Sequence, residues 1–317
     1  MVGGHMSELV IRRGELKDVA GIVDVHCSEL DGIWYSFKGG VREEVEGPTS
    51  LSLYERWLNG GSWMSPELCA VYINNLLLEG HIPLVAEQNG LIVGELELFF
   101  GWESDGNLYA HIGVVQVHKD HQRKGIGALL IKEAINYARK RGAYYLTVRP
   151  REGLKDYYKN LGFGEWLKTV VFTAEASPYV ARITWEEDNT YFNKKKFSRF
   201  IMGQEQSSAQ IWQIFHRNQF ALPEFTREPI HTGRASTDGQ EILAIFYPHV
   251  YCGDMANVYA WSDTDIRAEH IWTLLTLAYH FGYARVRSLL IEEHFERLKS
   301  KLPLEEMERQ EIFRIEL

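Results

Sequence analysis

Residues 115–130 read VQVHKDHQRKGIGALL and contain the sharpest change of pattern in the chain. A strand-like apolar run ends at Val117, and apolar residues return at helical spacing from Gly127. Three basic residues lie in the loop between them: Lys119, Arg123 and Lys124. A helix that begins in this way exposes unpaired backbone N–H groups and the positive end of its dipole. Because glycine lets a phosphate approach the backbone, the segment predicts a site for a pyrophosphate or another anion.

Other uses of this segment follow different rules. A tight strand-to-helix turn that needs glycine only for packing would have the same pattern, and that alternative stays open. A Walker loop is excluded because no Gly-Lys-Ser/Thr sequence follows. A Rossmann fingerprint is excluded because Leu130 stands where its third glycine would be.

The flanking pattern predicts an α/β fold with a mixed β-sheet flanked by helices. A strand over 108–117, a helix over 127–141 and a strand over 144–148 form a right-handed βαβ unit. Upstream, Asn89-Gly90 is a hairpin turn signal. The remaining elements expected in this half are strands over 9–12, 81–87, 91–100 and 166–174, and helices over 15–30, 54–58, 67–78 and 154–161.

The second half repeats this order without visible sequence identity. We expect strands over 241–247, 258–261, 285–291 and 312–317, and helices over 207–220, 268–281 and 294–301. Where the glycine loop would stand, the chain carries Asp263, Asp265 and Glu269, which repel phosphate. The residues 1–6 resemble a tag remnant, so the predicted domains are 7–176, with the anion loop, and 177–317, a degenerate repeat.

Composition excludes several classes of function. The net charge of −9 and pI of about 5.8 argue against nucleic-acid binding. Three distant cysteines, Cys27, Cys69 and Cys252, and histidines without ligand spacing predict neither a disulfide framework nor a metal site, and favour a reducing cytoplasm. Apolar runs are too short to span a bilayer, so no membrane partner is expected.

Two motifs together resemble the GNAT superfamily of acetyl-CoA-dependent N-acetyltransferases. Residues 122–127, QRKGIG, match its Q/R-x-x-G-x-G/A signature, and residues 158–163, YKNLGF, look like its Y-x-x-x-G-F segment. The resemblance covers residues 9–174. Family members often carry Asn near the position of Arg151, which leaves the details of cofactor binding open.

The resemblance implies acetyl-CoA as cosubstrate and direct transfer to an amine. Backbone N–H groups at the helix start would bind the pyrophosphate, and the preceding strand would bind the pantetheine arm and the thioester carbonyl. Tyr158 would act as the general acid toward the thiolate, although an aromatic packed under a short helix is the alternative. The implied cofactor-binding residues are Val115, Val117, Gln122, Arg123, Lys124, Gly125, Ile126, Gly127 and Ala128.

The acceptor side is less defined by the sequence. Glu97 and His111 are the candidates for the general base, against a solvated strand face or a satisfied core histidine. Aromatic residues between Trp34 and Trp63 could enclose an amine or simply pack. The predicted function is N-acetylation of a primary amine of a small molecule or peptide. A non-catalytic CoA sensor and a longer acyl-CoA substrate are the alternatives, and monomer and homodimer both stay open.

Overall fold

The computed structural model describes residues 9–38, 41–187, 199–203, 230–237 and 240–317, and the following account concerns those ranges. They contain fifteen strands and seven α-helices. The helices are α1 (Val19–Cys27), α2 (Leu53–Leu58), α3 (Pro66–Leu78), α4 (Ile126–Lys140), α5 (Lys155–Asn160), α6 (Ala268–His280) and α7 (Glu292–Leu298).

The strands divide between the two halves of the chain. Those of the first half are β1 (Leu9–Arg13), β2 (Ile33–Lys38), β3 (Val41–Glu46), β4 (Ile82–Gln88), β5 (Leu91–Trp102), β6 (Leu108–Val117), β7 (Tyr145–Val148) and β8 (Gly164–Glu175). Those of the second are β9 (Thr184–Glu187), β10 (Arg199–Met202), β11 (His231–Thr237), β12 (Gln240–His249), β13 (Cys252–Ser262), β14 (Arg285–Ile291) and β15 (Glu305–Glu316).

One continuous mixed sheet runs through both halves. Among the described strands its order is β1-β4-β5-β6-β7-β15-β8-β14-β13-β12-β11-β9, with β10 also paired to β13. The two parallel pairs are β6 with β7 and β13 with β14, so each half contains one βαβ unit. The predicted α/β class, a mixed sheet flanked by helices, is confirmed.

The two halves exchange their last strands. Strand β15 of the second half lies between β7 and β8, and β8 of the first half pairs with β14. The exchange extends to the cores, because Phe313 of β15 is buried in the first-half cluster and Phe172 of β8 in the second-half cluster. Each half is therefore completed by a strand of the other.

Helix α4 illustrates why these elements form. Its buried side chains include Ile131, Ala134, Ile135 and Ala138, which recur at helical spacing, and they pack on β4–β6. The chain leaves the helix through Gly142 at a φ of +74°, a conformation that glycine adopts without steric cost. The helix that carries the predicted anion loop is thus fixed by the core beneath it.

Several elements differ from the expectations. The β2–β3 hairpin was not expected, since its second strand, VREEVE, is mostly exposed and shows no apolar alternation. Strands β9, β10 and β11 were also not expected. Strand β15 begins at Glu305 rather than at 312, because its polar first half is held by pairing to β8 and not by an apolar face. The helix expected over 207–220 lies outside the described residues.

Candidate active site

The predicted anion loop contains a glycine, Gly125, in the left-handed conformation that favours glycine. Gly125 immediately precedes α4 and has a φ of +82°, with no atom near the position that a Cβ would take. Arg123 also has a positive φ, +61°. The turn leads directly into the first turn of α4, whose N–H groups lack helical partners, and a helix start of this kind can bind an anion.

The loop is anchored to the segment that follows α1. The backbone N–H of Lys119 donates to Ser28 Oγ at 3.1 Å, and its ammonium lies 2.6 Å from Asp31. The side-chain amide of Gln122 donates to the Val117 carbonyl at 3.1 Å and to Glu29. Two of the predicted loop residues therefore hold the loop in shape in addition to any contact with a ligand.

Next to the loop, β6 and β7 separate. Their parallel pairing ends at Ile112 and Val148, and a register shift against β5 leaves Gly113 as an extra residue on β6. Beyond it, residues 114–117 pair with β5 on one side only, and no described strand pairs with their other edge. Val115 and Val117 thus belong to a free strand edge, to which an extended chain with amide groups can hydrogen-bond.

A cleft of about 630 Å³ opens where the strands separate. Three segments line it: the end of β6, the connection from β7 to α5, and β15 of the second half. Its charged side chains are of both signs, namely Arg149, Arg151, Glu152, Lys155, Glu308, Arg309 and Glu311. Because β15 comes from the second half, the walls of this cleft are composite.

Tyr158 lies in the short helix α5, next to Tyr157, which reaches the anion loop. Its side chain is 6% exposed and packs edge-on against Tyr157 and Phe163, with ring centroids 5.3 and 5.7 Å apart. Burial raises the pKa of Tyr158 to about 12, while Arg151 opposes that shift. The phenol therefore keeps its proton at neutral pH. Tyr157 points its hydroxyl at Gly127, 3.1 Å from where a Cβ would stand.

Glu97 is buried on the face of β5 that is covered by α1 and α3. Its two oxygens accept hydrogen bonds from the Trp63 indole N–H at 2.9 Å and from the Tyr72 hydroxyl at 2.8 Å. It is therefore neither solvated nor part of the cleft lining. His111, the other base candidate, does line the cleft.

His111 is buried close to the point where the pairing of β6 with β7 ends. Its Nδ1 lies 2.7 Å from Thr147 Oγ1, and the Thr147 hydroxyl is 3.3 Å from the Ala110 carbonyl. Burial, assisted by Arg149, lowers the pKa of His111 to about 3, so the imidazole is neutral at physiological pH. If Thr147 donates to Ala110, His111 donates from Nδ1 and keeps the Nε2 lone pair free.

A buried pair that we did not expect from the sequence lies beside Glu97. His26 Nε2 is 2.5 Å from Glu95 Oε2, and the His26 ring stacks on Trp63 with centroids 4.8 Å apart. Burial raises the pKa of Glu95 to about 8 and lowers that of His26 to about 4. The shared parity of Glu95 and Glu97 places both on one face, but 69 residues separate His26 from Glu95, and no local pattern links them.

The aromatic residues proposed as an acceptor pocket mostly pack against their own neighbours. Trp34 and Trp57 are buried in two separate clusters, Tyr54 stacks on Trp57, and the Arg42 guanidinium covers the Tyr35 ring at 3.5 Å. None of the aromatic residues between 34 and 63 belongs to the lining of the cleft.

In the second half, the parallel strands β13 and β14 also separate, but there a further strand, β10, pairs along β13. The parallel pairing of β13 and β14 spans Met255–Asn257 and Arg285–Arg287, beyond which β10 pairs with β13. Phe200 of β10 stacks on Trp261, and the Gly203 N–H donates to the Leu289 carbonyl at 2.8 Å. The strand edge that corresponds to the free edge of β6 is thus occupied.

The described ranges offer neither a metal-ligand cluster nor a membrane-spanning helix. No group of three or more His, Cys, Asp or Glu residues there is arranged to hold a metal ion. None of the helices in the same ranges has both the length and the apolar content needed to cross a membrane.

Comparison with known proteins identifies the first half. The model of the acetyltransferase (GNAT) family matches residues 50–163. An uncharacterized N-acetyltransferase of Methanocaldococcus jannaschii is 35% identical over 97 residues, which are 27% of this chain and 43% of that protein. The L-amino acid N-acyltransferase MnaT of Escherichia coli is 39% identical over 71 residues, 22% of this chain and 41% of that protein. The chain thus spans about two-fifths of these relatives.

A solved structure extends the likeness to the whole chain. The tandem GNAT protein from the clavulanic acid biosynthesis pathway is 13% identical, with a TM-score of 0.52, and the match covers 98% of both chains. At this identity the likeness concerns the fold alone. The segment at residues 50–163 therefore matches the GNAT acetyltransferase family, and the fold of the whole chain resembles that of a tandem GNAT protein.

Proposed function

We propose that the protein transfers an acetyl group from acetyl-CoA to a primary amine of a small molecule or peptide, by direct attack in a ternary complex. The observation that carries this proposal is the free edge of β6 at residues 114–117, which leads along the chain to the glycine turn before α4. The chain thus combines a site for an anion, an edge for an amide-bearing chain and a protonated phenol, Tyr158.

The residues present fit the cosubstrate. We assign the pyrophosphate to the backbone N–H groups of Arg123 to Ala128, including Ile126, with Gln122 and Lys124 shaping the loop. Gly125 supports this assignment, because the space where its Cβ would be is open. The pantetheine arm would lie along the edge at Val115 and Val117. Acetyl-CoA supplies the activated acetyl group, and the protein's contribution is to align it with the amine.

Tyr158 is our candidate for the general acid. Burial raises the pKa of Tyr158 to about 12, so the phenol is protonated at neutral pH and can donate its hydrogen to the departing thiolate. Glu97 and His111 remain the candidates from the sequence for the group that accepts the amine's proton. The position of His111 on the cleft wall favours it over Glu97, whose oxygens already accept two hydrogen bonds.

Two features bear on the acceptor and the setting. The cleft carries charges of both signs, which suits an acceptor with an amine and a second polar group. One relative is by name an L-amino acid N-acyltransferase, so L-amino acids are the first acceptors to test. We further propose a reducing cytoplasm as the location, since all three cysteines are free thiols.

The test is acetyl-CoA binding by calorimetry, followed by release of free thiol with a panel of L-amino acids, small amines and peptides. Tyr158→Phe should lower kcat about 10²-fold or more and leave acetyl-CoA affinity unchanged. Tyr157→Phe is the matched control, because it removes the adjacent hydroxyl. Equal activity of both variants would refute the acid role. Binding without thiol release on any acceptor would favour a CoA sensor, and no binding would refute the proposed function.

A further inference from the structure

We propose that His26 and Glu95 together form the group that accepts the proton of the acceptor amine. The proposal rests on the acetyl transfer proposed above and assigns to it two residues that no sequence motif marks. It follows from three observations: an unusually close buried contact, an unpartnered buried oxygen, and the pairing of Glu95 with the stretch of β6 whose outer edge is free.

The contact is between two side chains removed from solvent. Glu95 is 0% exposed, and its Oε2 lies 2.5 Å from His26 Nε2. The other oxygen, Oε1, is buried and has no hydrogen-bond partner among the described residues. Because an unpartnered buried oxygen costs stability, its presence calls for a reason, and a proton donor supplied by a bound substrate or water is one.

The pair joins α1 to β5, the strand next to the end of β6. Glu95 stands opposite Gln116 on β6, within the stretch whose outer edge is free. His26 is in the last turn of α1, just before the residues that anchor the anion loop. Arg151, on the cleft wall, lowers the pKa of both His26 and Tyr158. One guanidinium is thus close enough to act on both the pair and the proposed acid.

The pair is better suited to this role than the two candidates from the sequence. Glu97 already accepts hydrogen bonds at both oxygens. His111, with a pKa of about 3, holds a proton too weakly to take one from an ammonium group. Burial raises the pKa of Glu95 to about 8, close to the pKa of an α-amino group whose proton it would accept. Such a match favours general-base catalysis.

In the proposed step the pair takes one proton from the acceptor and passes one proton to solvent. Below pH 8 the pair holds one proton, shared between the Glu95 carboxyl and the neutral His26. Above it, the deprotonated pair takes one proton from the ammonium group of the acceptor. The nitrogen lone pair then forms the bond to the acetyl carbon, and the C–S bond breaks with its electrons on sulfur. Tyr158 protonates the sulfur and is restored by the second proton of the nitrogen, while the pair releases its proton to solvent.

Other groups around the pair could contribute to a pH profile. Those that face it from the neighbouring elements are Glu97 on β5, Cys69 and Tyr72 on α3, Glu29 after α1 and Arg151 before α5. Burial and the two glutamates raise the pKa of Cys69 above the range of the experiment, so the thiol stays protonated. The pair is therefore the group expected to titrate near pH 8.

The experiment measures kcat against pH with acetyl-CoA and the amine of the panel that the full chain uses best. We expect kcat to rise through about pH 8, with an inflection that stays fixed when an amine of lower pKa replaces the first. Glu95→Gln and His26→Gln should lower kcat about 10²-fold, abolish the inflection and leave acetyl-CoA affinity unchanged. His280→Gln, in the exposed last turn of α6, is the matched control.

The outcomes separate this proposal from the one on which it rests. A wild-type chain that binds acetyl-CoA and releases thiol, with variants of unchanged pH profile, would overturn the pair alone. A wild-type inflection that follows the pKa of the amine would do the same, and that measurement does not depend on the folding of any variant. A chain without binding or thiol release would overturn both proposals.

Discussion

At the scale of single residues, the glycine turn before α4 allows a controlled test of the anion loop. Gly125 and Gly142 lie at the two ends of α4, both at positive φ, and both have open space where a Cβ would be added. Gly125→Ala and Gly142→Ala should therefore each cost about 1–2 kcal/mol of stability for the left-handed conformation.

Only one of these variants should affect the cofactor. Gly125→Ala adds a methyl group where we place the pyrophosphate, so calorimetry should show weaker acetyl-CoA binding for it and unchanged binding for Gly142→Ala. Denaturation curves of the two variants supply the control for strain. If both bind acetyl-CoA like the wild type, Gly125 serves only the turn.

The residues also show how far sequence reasoning reaches. The loop and Tyr158 are candidates that local motifs predict, because their spacing along the chain is set by one strand, one turn and one helix. The His26–Glu95 contact was not, because it depends on how α1 packs across β5. Parity places Glu97 on the same face as Glu95, but its two hydrogen-bond donors come from residues 63 and 72 and leave no local signal.

At the scale of elements, apolar period and glycine positions predicted the helices and the central strands of the first half. Strands that are held only by pairing to their neighbours were not predicted, as β10 and the polar start of β15 show. Strand β10 matters for function because it pairs along β13 where the equivalent edge of β6 is free. The acidic Asp265 beside it forms an exposed ion pair with Arg199.

We therefore expect one acetyl-CoA to bind per chain. The second half has lost the glycine turn, and β10 covers the strand edge that a pantetheine arm would need. Calorimetry should give a stoichiometry of one, and Gly125→Ala should weaken all of the binding rather than half of it. A stoichiometry of two, with one site unaffected by that substitution, would show that the second half retains a cofactor site.

At the scale of the whole molecule, the strand exchange joins the two halves into one folding unit. The 7–176 and 177–317 boundaries remain our proposal for the two repeats, but each hydrophobic core contains residues from both sides of them. Phe313 of β15 belongs to the second half but is fully buried in the core of the first. Phe172 of β8 belongs to the first half but is buried in the core of the second. The second half also provides the β15 wall of the cleft.

A chain shortened after residue 176 should consequently fail to fold into an active enzyme. Without β15, the strands β7 and β8 lose their shared neighbour, and the core of the first half loses the buried Phe313. Deleting only residues 305–317 should have the same effect, whereas Met307→Ala, at an exposed position of β15, should not.

Solubility, circular dichroism and acetyl-CoA binding of these variants measure the effect. Phe313→Ala offers a graded version, expected to cost about 3–5 kcal/mol because it empties a fully buried aromatic site. Co-expression of 1–176 with 177–317 should restore binding if the exchanged strands reassociate. A soluble 1–176 fragment that binds acetyl-CoA as tightly as the full chain would mean that β15 is dispensable and that the first half closes its sheet alone.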